Sequence, residues 1–293
     1  MGLEQITGEL ERRAGIRIVS DQARVIGGGS INRAFYLPTD TEPLFVKLNA
    51  AQALQAFEAE ADGLETLRSA KAVAVPETVD VGCAGGTAYL ALRWLELSSR
   101  TTAAERLLGA ALARQHRVTA GQFGWHRDNT IGATPQRNTP TSSWVDFLRL
   151  ERLGFQLELA ADRGLPQQQL DHGYRVLERI ERFFKDDEPA ASLLHGDLWS
   201  GNWGSDASGK PYIYDPAVYY GDREADLAMT RLFGGFGDAF YSAYQAEWPL
   251  AAGWEARVDL YNLYHLLNHF NLFGAGYLGE VGHCLMRLLH AGS

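Results

Sequence analysis

The pattern of apolar and polar positions changes near residue 95 of the chain. Before that point, short runs rich in β-branched and aromatic residues alternate with turn residues, and this pattern predicts strands. These runs cover residues 23–26, 31–37, 44–48, 77–81 and 87–94. Between the third and the fourth run, the apolar residues take on helical spacing. Because consecutive strands can pair through hairpins, we predict an antiparallel sheet with one packed helix over residues 51–70.

After residue 95 the spacing of apolar residues is mainly helical, over residues 102–117, 143–162 and 167–185. A short strand–loop–strand segment interrupts over residues 192–218, and helices are predicted again from residue 222. We therefore predict an α+β chain with two lobes. The N-terminal lobe would comprise residues 1–95, and the mainly helical C-terminal lobe residues 96–293. Ligand sites often form in the cleft between two such lobes.

Composition limits the classes of partner. The 36 acidic and 27 basic residues give a formal charge of −9, which argues against binding to nucleic acid or an anionic membrane. Two cysteines are too few for a disulfide framework or a cysteine-rich zinc site. No apolar run approaches the roughly 20 residues of a membrane span, and the N-terminus lacks the apolar core of a signal peptide. We therefore expect a cytoplasmic protein that acts on small molecules, and the sequence favours no particular oligomeric state.

The segment His195–Asn202, HGDLWSGN, carries the most specific motif. The spacing of Asp197 and Asn202 is that of the phosphotransfer loop H-R-D-L-x-x-x-N of protein kinases, with Gly196 in place of the arginine. In that loop an aspartate accepts or orients the proton of the attacking hydroxyl, and an asparagine offers a neutral oxygen to Mg²⁺. The alternative for the segment alone is a polar turn, in which both side chains bond to backbone groups.

A second carboxylate follows at Asp215, which ends the apolar run Tyr212–Tyr214 and precedes Pro216. This is the place of the second metal-binding aspartate of kinases, and Mg²⁺ prefers carboxylates together with substrate phosphates. An isolated Asp-Pro pair more often forms a simple turn. The order of Asp197, Asn202 and Asp215 favours a site in which Asp197 is catalytic and the other two bind the metal.

Two features of the predicted sheet fit a nucleotide site. The glycine-rich segment Gly28-Gly29-Ser30 lies between two strands, so its backbone amides could approach phosphate oxygens, although most such segments are only turns. Lys47 stands inside the third strand, where a lysine is unexpected unless its ammonium group has a partner. Glu60, on the packed face of the following helix, is the candidate partner. The alternative is an edge-strand lysine whose ammonium group lies in water.

With these residues, the chain resembles the fructosamine kinase (ketosamine kinase) family, a branch of the aminoglycoside-phosphotransferase-like and choline-kinase-like kinases. The resemblance extends over nearly the whole chain, in family order. The matching stretches are GGSIN at 28–32, FVK at 45–47, FGW at 123–125, DNTIG at 128–132, TPQ at 134–136, HGDLWSGN at 195–202, DPAVYYGDRE at 215–224, LFGGF at 232–236 and YNLYHLLNHFNLFG at 261–274.

The resemblance implies a bilobal, protein-kinase-like fold and a deglycation activity that uses ATP and Mg²⁺. The enzyme would phosphorylate the sugar 3-hydroxyl of a free or protein-bound ketosamine, such as a fructosamine or a ribulosamine. The unstable 3-phosphate would then break down and free the amine. Carried over by position, Asp197 is the catalytic base and Asn202 and Asp215 are the Mg²⁺ ligands. Lys47 and Glu60 form the phosphate-binding ion pair.

Further roles also follow from the resemblance. Gly28, Gly29 and Ser30 would cover the ATP phosphates, and the backbone of Arg93, Trp94 and Leu95 would hydrogen-bond adenine. Trp199, beside the base, is expected to stack on the substrate. His265 and His269 lie one helical turn apart and lack the glutamate of a zinc hydrolase motif, so we expect a packed or substrate-facing pair, with His269 the candidate for substrate contact.

The chain departs from the family pattern at two positions. Ser30 stands where many members have a cysteine, so no thiol switch is expected there. Arg93 stands where relatives commonly have an acidic residue, but ATP binding should survive because hinge contacts are mostly made by the backbone. Two alternatives stay open at this stage. One is a small-molecule kinase of the same fold that acts on an aminoglycoside, on choline or on another sugar alcohol. The other is a non-catalytic nucleotide-binding module.

Overall fold

The N-terminal part of the fold is a five-stranded sheet. The structure is a computed structural model that describes residues 3–19, 22–27, 31–185 and 188–291. Its spatial order is β1-β2-β3-β5-β4. All neighbouring strands are antiparallel, as the sequence predicts. The strands are β1 (Arg24–Ile26), β2 (Arg33–Leu37), β3 (Leu44–Ala50), β4 (Thr78–Ala84) and β5 (Thr87–Arg93).

Two helices cover the two faces of this sheet, α1 (Leu3–Ala14) and α2 (Leu54–Ser69). Successive strand residues point to opposite faces, so in β5 Tyr89 and Ala91 pack with α1, whereas Leu90 and Leu92 pack with α2. The predicted helix is α2, and the amphipathic N-terminal segment adds α1, a helix that was not predicted. The core on the α2 side is continuous with that of the C-terminal half.

The C-terminal half is mainly helical, and no helix among the described residues has the length and apolar character that a bilayer span requires. Three short pairs of strands lie among the helices. The helices are α3 (Thr102–His116), α4 (Trp144–Phe147), α5 (Phe155–Asp162), α6 (Gln167–Glu178), α7 (Glu224–Leu232), α8 (Asp238–Glu247), α9 (Val258–Phe273) and α10 (Leu278–His290). The paired strands are β6 (Asn129–Ile131) with β7 (Thr134–Gln136), β8 (Ser192–Leu194) with β11 (Tyr219–Gly221), and β9 (Trp203–Ser205) with β10 (Pro211–Ile213).

The structure differs from the predicted elements in three further places. The hairpin of β6 and β7 was not predicted, because strands of three residues are too short to show alternation. The helix predicted over residues 143–162 contains a π-helical segment, Leu148–Gly154, and the one predicted over residues 167–185 ends at Glu178. The predicted lobe boundary after residue 95 falls in the segment between β5 and α3, and this division of the chain stays a prediction.

Candidate active site

A cavity of about 650 Å³ opens between the sheet and the helical half. Every candidate site residue that the structure describes lines this one cavity. They are Lys47, Glu60, Arg93, Trp94, Leu95, Asp197, Trp199, Asn202, Asp215 and His269. The remaining candidates, Gly28, Gly29 and Ser30, lie outside the described residues.

Lys47 lies on β3, a central strand, and is only 6% exposed. Its Nζ atom donates to Glu60 Oε1 at 2.6 Å and to Asp215 Oδ1 at 2.7 Å. Burial opposes the charged form, but the charges of Asp215 and Glu60 outweigh it and raise the pKa of Lys47 above its ordinary value. The predicted pair of Lys47 and Glu60 is therefore present, and the alternative of an edge-strand lysine is wrong. The ammonium also ties the sheet to the segment that carries Asp215.

The loop that carries Asp197 follows β8 and is packed against the segment after Asp215. Ala217 N donates to His195 O at 2.8 Å. Gly196 has a φ of 83°, and a Cβ atom at this position would lie 2.0 Å from Ala217 O. An arginine, as in the protein-kinase motif, has no room here. The glycine lets the two segments approach closely, which brings Asp197 and Asp215 to the same cavity.

Asp226 of α7 fixes the backbone of this loop. Its carboxylate accepts the backbone N–H groups of His195 at 2.7 Å and Gly196 at 2.8 Å, and it also contacts His116 Nε2 at 3.2 Å. Burial opposes ionisation, but these hydrogen bonds prevail and the pKa of Asp226 is lowered. Sequence analysis missed this residue. The available signal was the position of this acidic residue between Ala225 and Leu227, two apolar residues that are buried in α7.

The His195 ring connects the two segments on their other side. Its Nδ1 atom accepts the backbone N–H of Asp197 at 3.3 Å, and its Nε2 atom lies 3.0 Å from Tyr214 O. This pattern requires a neutral ring with its proton on Nε2, and burial lowers the pKa of His195 accordingly. The His195 ring therefore braces the loop that carries Asp197 against the segment before Asp215.

Asp197 and Asn202 are in direct contact. Asn202 Nδ2 donates to Asp197 O at 2.9 Å and to Asp197 Oδ2 at 3.4 Å. Burial, together with the nearby charges of Asp215 and Asp226, raises the pKa of Asp197 to about 7. Such a carboxylate can accept a hydroxyl proton near neutral pH. Because the Asn202 nitrogen is bonded to Asp197, the amide oxygen is the end that remains for a cation.

Asp215 has a φ of 57°, in the left-handed region that few non-glycine residues adopt. Its side chain is about half exposed. The described residues contain no group of three or more His, Cys, Asp or Glu side chains that could hold a metal ion. The oxygen donors of Asn202 and Asp215 would therefore hold a cation only together with other oxygens. That set suits Mg²⁺, which usually keeps water and substrate phosphates among its ligands.

The rings of Trp199 and His269 also line the cavity. Trp199 is 37% exposed, and its ring meets the Phe233 ring edge-on at 6.3 Å. The His269 ring lies 4.9 Å from the Phe233 ring, and His269 Nδ1 lies 2.8 Å from His265 O. Donation from Nδ1 to this carbonyl leaves Nε2 as the unprotonated ring nitrogen. Of these two histidines, His269 lines the cavity and His265 is buried in the protein interior.

The backbone at the entrance to the helical half has two of its N–H groups bonded within the protein. Arg93 N donates to Glu77 O at 2.8 Å, and Trp94 N donates to Pro43 O at 2.9 Å. The Trp94 ring packs edge-on against Tyr36 at 4.9 Å. Recognition of a planar ring at this edge would therefore fall to Leu95 and to backbone carbonyl groups.

Comparison with known proteins identifies a family whose members match nearly the whole chain. The fructosamine kinase family model matches residues 3–291. A Synechocystis protein assigned as a ketoamine kinase is 43% identical over 98% of this chain and 96% of its own length. The chloroplastic protein-ribulosamine 3-kinase of Arabidopsis thaliana is also 43% identical, over 86% of this chain and 78% of its own length.

Solved structures agree with this result. A crystal structure assigned as a fructosamine-3-kinase from Thermobifida fusca has a TM-score of 0.88 and 33% identity, covering 99% of this chain and 100% of its own. The aminoglycoside phosphotransferase APH(4)-Ia has a TM-score of 0.69 at 14% identity, with 99% of each chain covered, which shows a shared fold. The prediction of a protein-kinase-like, aminoglycoside-phosphotransferase-like fold is thus confirmed. The chain belongs to the fructosamine kinase family, and the prediction that it is a kinase is confirmed with it.

Proposed function

We propose that the chain transfers the γ-phosphoryl group of ATP to a sugar hydroxyl of a ketosamine of the fructosamine or ribulosamine type. The observation that carries this proposal is that Lys47, Asp197, Asn202 and Asp215 meet around one cavity. Relatives that are 43% identical and named ketoamine kinase and protein-ribulosamine 3-kinase support the acceptor class.

The nucleotide would occupy the sheet side of the cavity. The Lys47 ammonium is positioned by Glu60, and it would bind the α- and β-phosphates of ATP. The glycine-rich segment before Ile31 would cover the phosphates, and the backbone near Leu95 would contact adenine. Because the protein carries a formal charge of −9, its overall field opposes an anionic nucleotide. Binding would therefore depend on Lys47 and on a metal ion.

Asn202 and Asp215 would hold Mg²⁺ through side-chain oxygens, together with phosphate oxygens of the nucleotide. When bound, the ion supplies positive charge that neutralises the transferring phosphoryl group. The contact between Lys47 and Asp215, at 2.7 Å, places the ammonium beside the same carboxylate. The Lys47 ammonium and the Mg²⁺ ion would thus both lie close to the phosphates.

Asp197 would act on the acceptor. The hydroxyl oxygen forms a bond to the γ-phosphorus, the bond from that phosphorus to the β–γ bridging oxygen breaks, and ADP leaves. The hydroxyl proton passes to Asp197, whose pKa of about 7 suits a general base. Trp199 and His269 line the same cavity, and they would face the acceptor. The amine of a ketosamine is cationic at neutral pH, and an aromatic face attracts such a group.

A panel of acceptors tests the proposed function. ADP release would be measured with a fructosamine, a ribulosamine, an aminoglycoside and choline, with an Asp197→Asn variant as the inactive control. We expect kcat/KM for a ketosamine to exceed that for the other acceptors by at least about 100-fold, since acceptors are separated by differences in transition-state binding. A higher kcat/KM for the aminoglycoside or for choline would disprove the proposed acceptor class.

A further inference from the structure

The hairpin of β6 and β7 has no part in the proposed chemistry, although it carries two of the motifs found in the sequence. It packs beside α2, and Asn129 lines the cavity. We propose that Asn129 and Gln136 are positioning residues that hold the Asp215 segment in the conformation used for metal and phosphate binding. The inference rests on the proposed function, and it assigns this hairpin a part in the same site.

Both side-chain amides donate to the backbone just after Asp215. Gln136 Nε2 donates to Ala217 O at 3.0 Å, and Asn129 Nδ2 donates to Val218 O at 2.8 Å. Gln136 is 1% exposed, so water cannot replace its hydrogen bond. A carbonyl that loses a buried donor is left unpaired, which favours a shift of the backbone.

The orientation of these two amides is itself fixed. Asn129 Oδ1 accepts from Gln136 Nε2 at 2.8 Å and from Asn138 Nδ2 at 3.0 Å. Gln136 Oε1 accepts the Tyr264 hydroxyl at 2.6 Å. A rotation of either amide by 180° would place oxygen against oxygen or donor against donor. The nitrogen atoms therefore point at the backbone after Asp215 in a single arrangement.

The hairpin completes a set of contacts around an unusual backbone conformation. On the side before Asp215, Tyr214 N donates to Asn202 O at 3.0 Å, and the His195 ring bonds to Tyr214 O. On the side after it, only the hairpin amides supply side-chain donors to the carbonyls of Ala217 and Val218, among the described residues. A left-handed, non-glycine residue persists when its surroundings determine both flanks. Without the hairpin bonds, Asp215 can relax and its carboxylate can leave Lys47.

The test compares Gln136→Met, which removes the donor, with Tyr264→Phe, which removes only the hydroxyl that orients Gln136. The matched control is Asn271→Leu. Asn271 is another buried amide, bonded to Gln156 O at 3.0 Å, and it does not line the cavity. Two quantities would be measured for each protein. One is the Mg²⁺ concentration that gives half-maximal activity, and the other is the affinity for the non-hydrolysable analogue AMP-PNP, with Mg²⁺ and with EDTA.

We expect Gln136→Met to raise the half-saturating Mg²⁺ concentration by about 10-fold, in line with the usual effect of a partner that orients a metal ligand. Its AMP-PNP affinity should fall with Mg²⁺ present and stay unchanged in EDTA. Tyr264→Phe should change the half-saturating Mg²⁺ concentration and the AMP-PNP affinity in the same directions, by about threefold. If Gln136→Met does not fold, Tyr264→Phe alone tests the inference. Asn271→Leu should lower the melting temperature without changing the Mg²⁺ dependence.

An unchanged Mg²⁺ dependence in both Gln136→Met and Tyr264→Phe overturns the inference, and so does an equal shift in Asn271→Leu. AMP-PNP binding is measured without an acceptor, so it separates this inference from the proposed function. A wild-type protein that binds AMP-PNP more tightly with Mg²⁺ but phosphorylates no ketosamine refutes the function alone. Equal AMP-PNP affinities of the wild type in Mg²⁺ and EDTA overturn the positioning role together with the metal assignment.

Discussion

Lys47 and Asp215 form an ion pair between the sheet and the helical half, with 2.7 Å between Nζ and Oδ1. Glu60 lies on the other side of the same ammonium, at 2.6 Å. One cation thus separates two carboxylates that would otherwise repel each other. Bound phosphates would enter beside this ammonium, whose position is fixed by the two carboxylates, and its positive charge would then stabilise them.

Replacing this ammonium tests its role. Lys47→Met leaves Glu60 and Asp215 without their shared cation, and it removes the proposed phosphate contact. We expect kcat/KM for ATP to fall by at least about 100-fold. The protein should also be destabilised by about 3–5 kcal/mol, because the largely buried Glu60 carboxylate loses its partner. Kinetics and thermal unfolding would be compared with Lys210→Met, which removes an exposed lysine. Wild-type kcat/KM in Lys47→Met would contradict the assignment.

Asp197→Ala separates catalysis from nucleotide binding. The aspartate is proposed to act on the acceptor proton, so its loss should lower kcat by about 10²–10⁴-fold, the usual contribution of general base catalysis. ATP affinity should stay close to that of the wild type, because the interaction is used mainly in the transition state. Turnover and calorimetric binding measure the two effects, with the exposed Asp171→Ala as control. An unchanged kcat would show that another group is the base.

Gly196 and Gly209 allow a matched test of the packing beneath the catalytic loop. Both have a positive φ, of 83° and 82°. A Cβ atom at Gly209 would meet nothing within 4 Å, whereas one at Gly196 would lie 2.0 Å from Ala217 O. Both alanine variants therefore incur the same backbone strain, of about 1 kcal/mol, and only Gly196→Ala adds the collision.

We expect Gly209→Ala to stay active with a slightly lower melting temperature. Gly196→Ala should lose activity by at least about 100-fold, since a displacement of about 1 Å at a catalytic group has effects of this size. The activity per folded molecule and the melting temperature of both variants decide the question. Equal losses in the two variants would mean that backbone strain, and not the contact with Ala217, explains the glycine.

The sequence was sufficient to locate the proposed site residues that line the cavity. Asp197 and Asn202 lie on one short loop, so their spacing in the sequence is enough to predict that their side chains lie close together. Lys47 is recognisable because a charged residue interrupts an apolar strand, and the helical stripe of α2 singles out Glu60 as its partner. In each case the chemistry requires a particular side chain at a position that local structure fixes.

The residues that hold these groups in place could not be found in this way. Asp226 bonds to backbone N–H groups about 30 residues away, and Asn129 and Gln136 bond to carbonyls more than 80 residues away. Every residue has a backbone carbonyl and nearly every one has an N–H, so the partner leaves no trace in the sequence. The hairpin that carries the two amides was also too short to be predicted. Only the packing of distant segments reveals these contacts.

The raised pKa of Asp197 predicts how stability depends on pH. In the folded protein its pKa is about 7, compared with an ordinary value of 3.8. Between these values the folded state binds more protons than the unfolded state, so the stability contribution present below pH 4 decreases as the pH rises and is lost above 7. Asp197→Asn does not titrate and keeps its stability. We therefore expect this variant to gain about 1–3 kcal/mol on the wild type between pH 5 and pH 8.

Chemical denaturation of the nucleotide-free protein in EDTA, at pH 5 and at pH 8, measures this difference. Glu60 and Asp222 also have a raised pKa, but both are present in the two proteins, so their effects cancel in the comparison. An Asp171→Asn variant controls for the loss of one negative charge at the surface. A difference in unfolding free energy between Asp197→Asn and the wild type that stays constant from pH 5 to pH 8 would show that Asp197 is already ionised at pH 5. In that case burial and the charges of Asp215 and Asp226 would not raise the pKa of Asp197, and these surroundings would not explain a base that works at neutral pH.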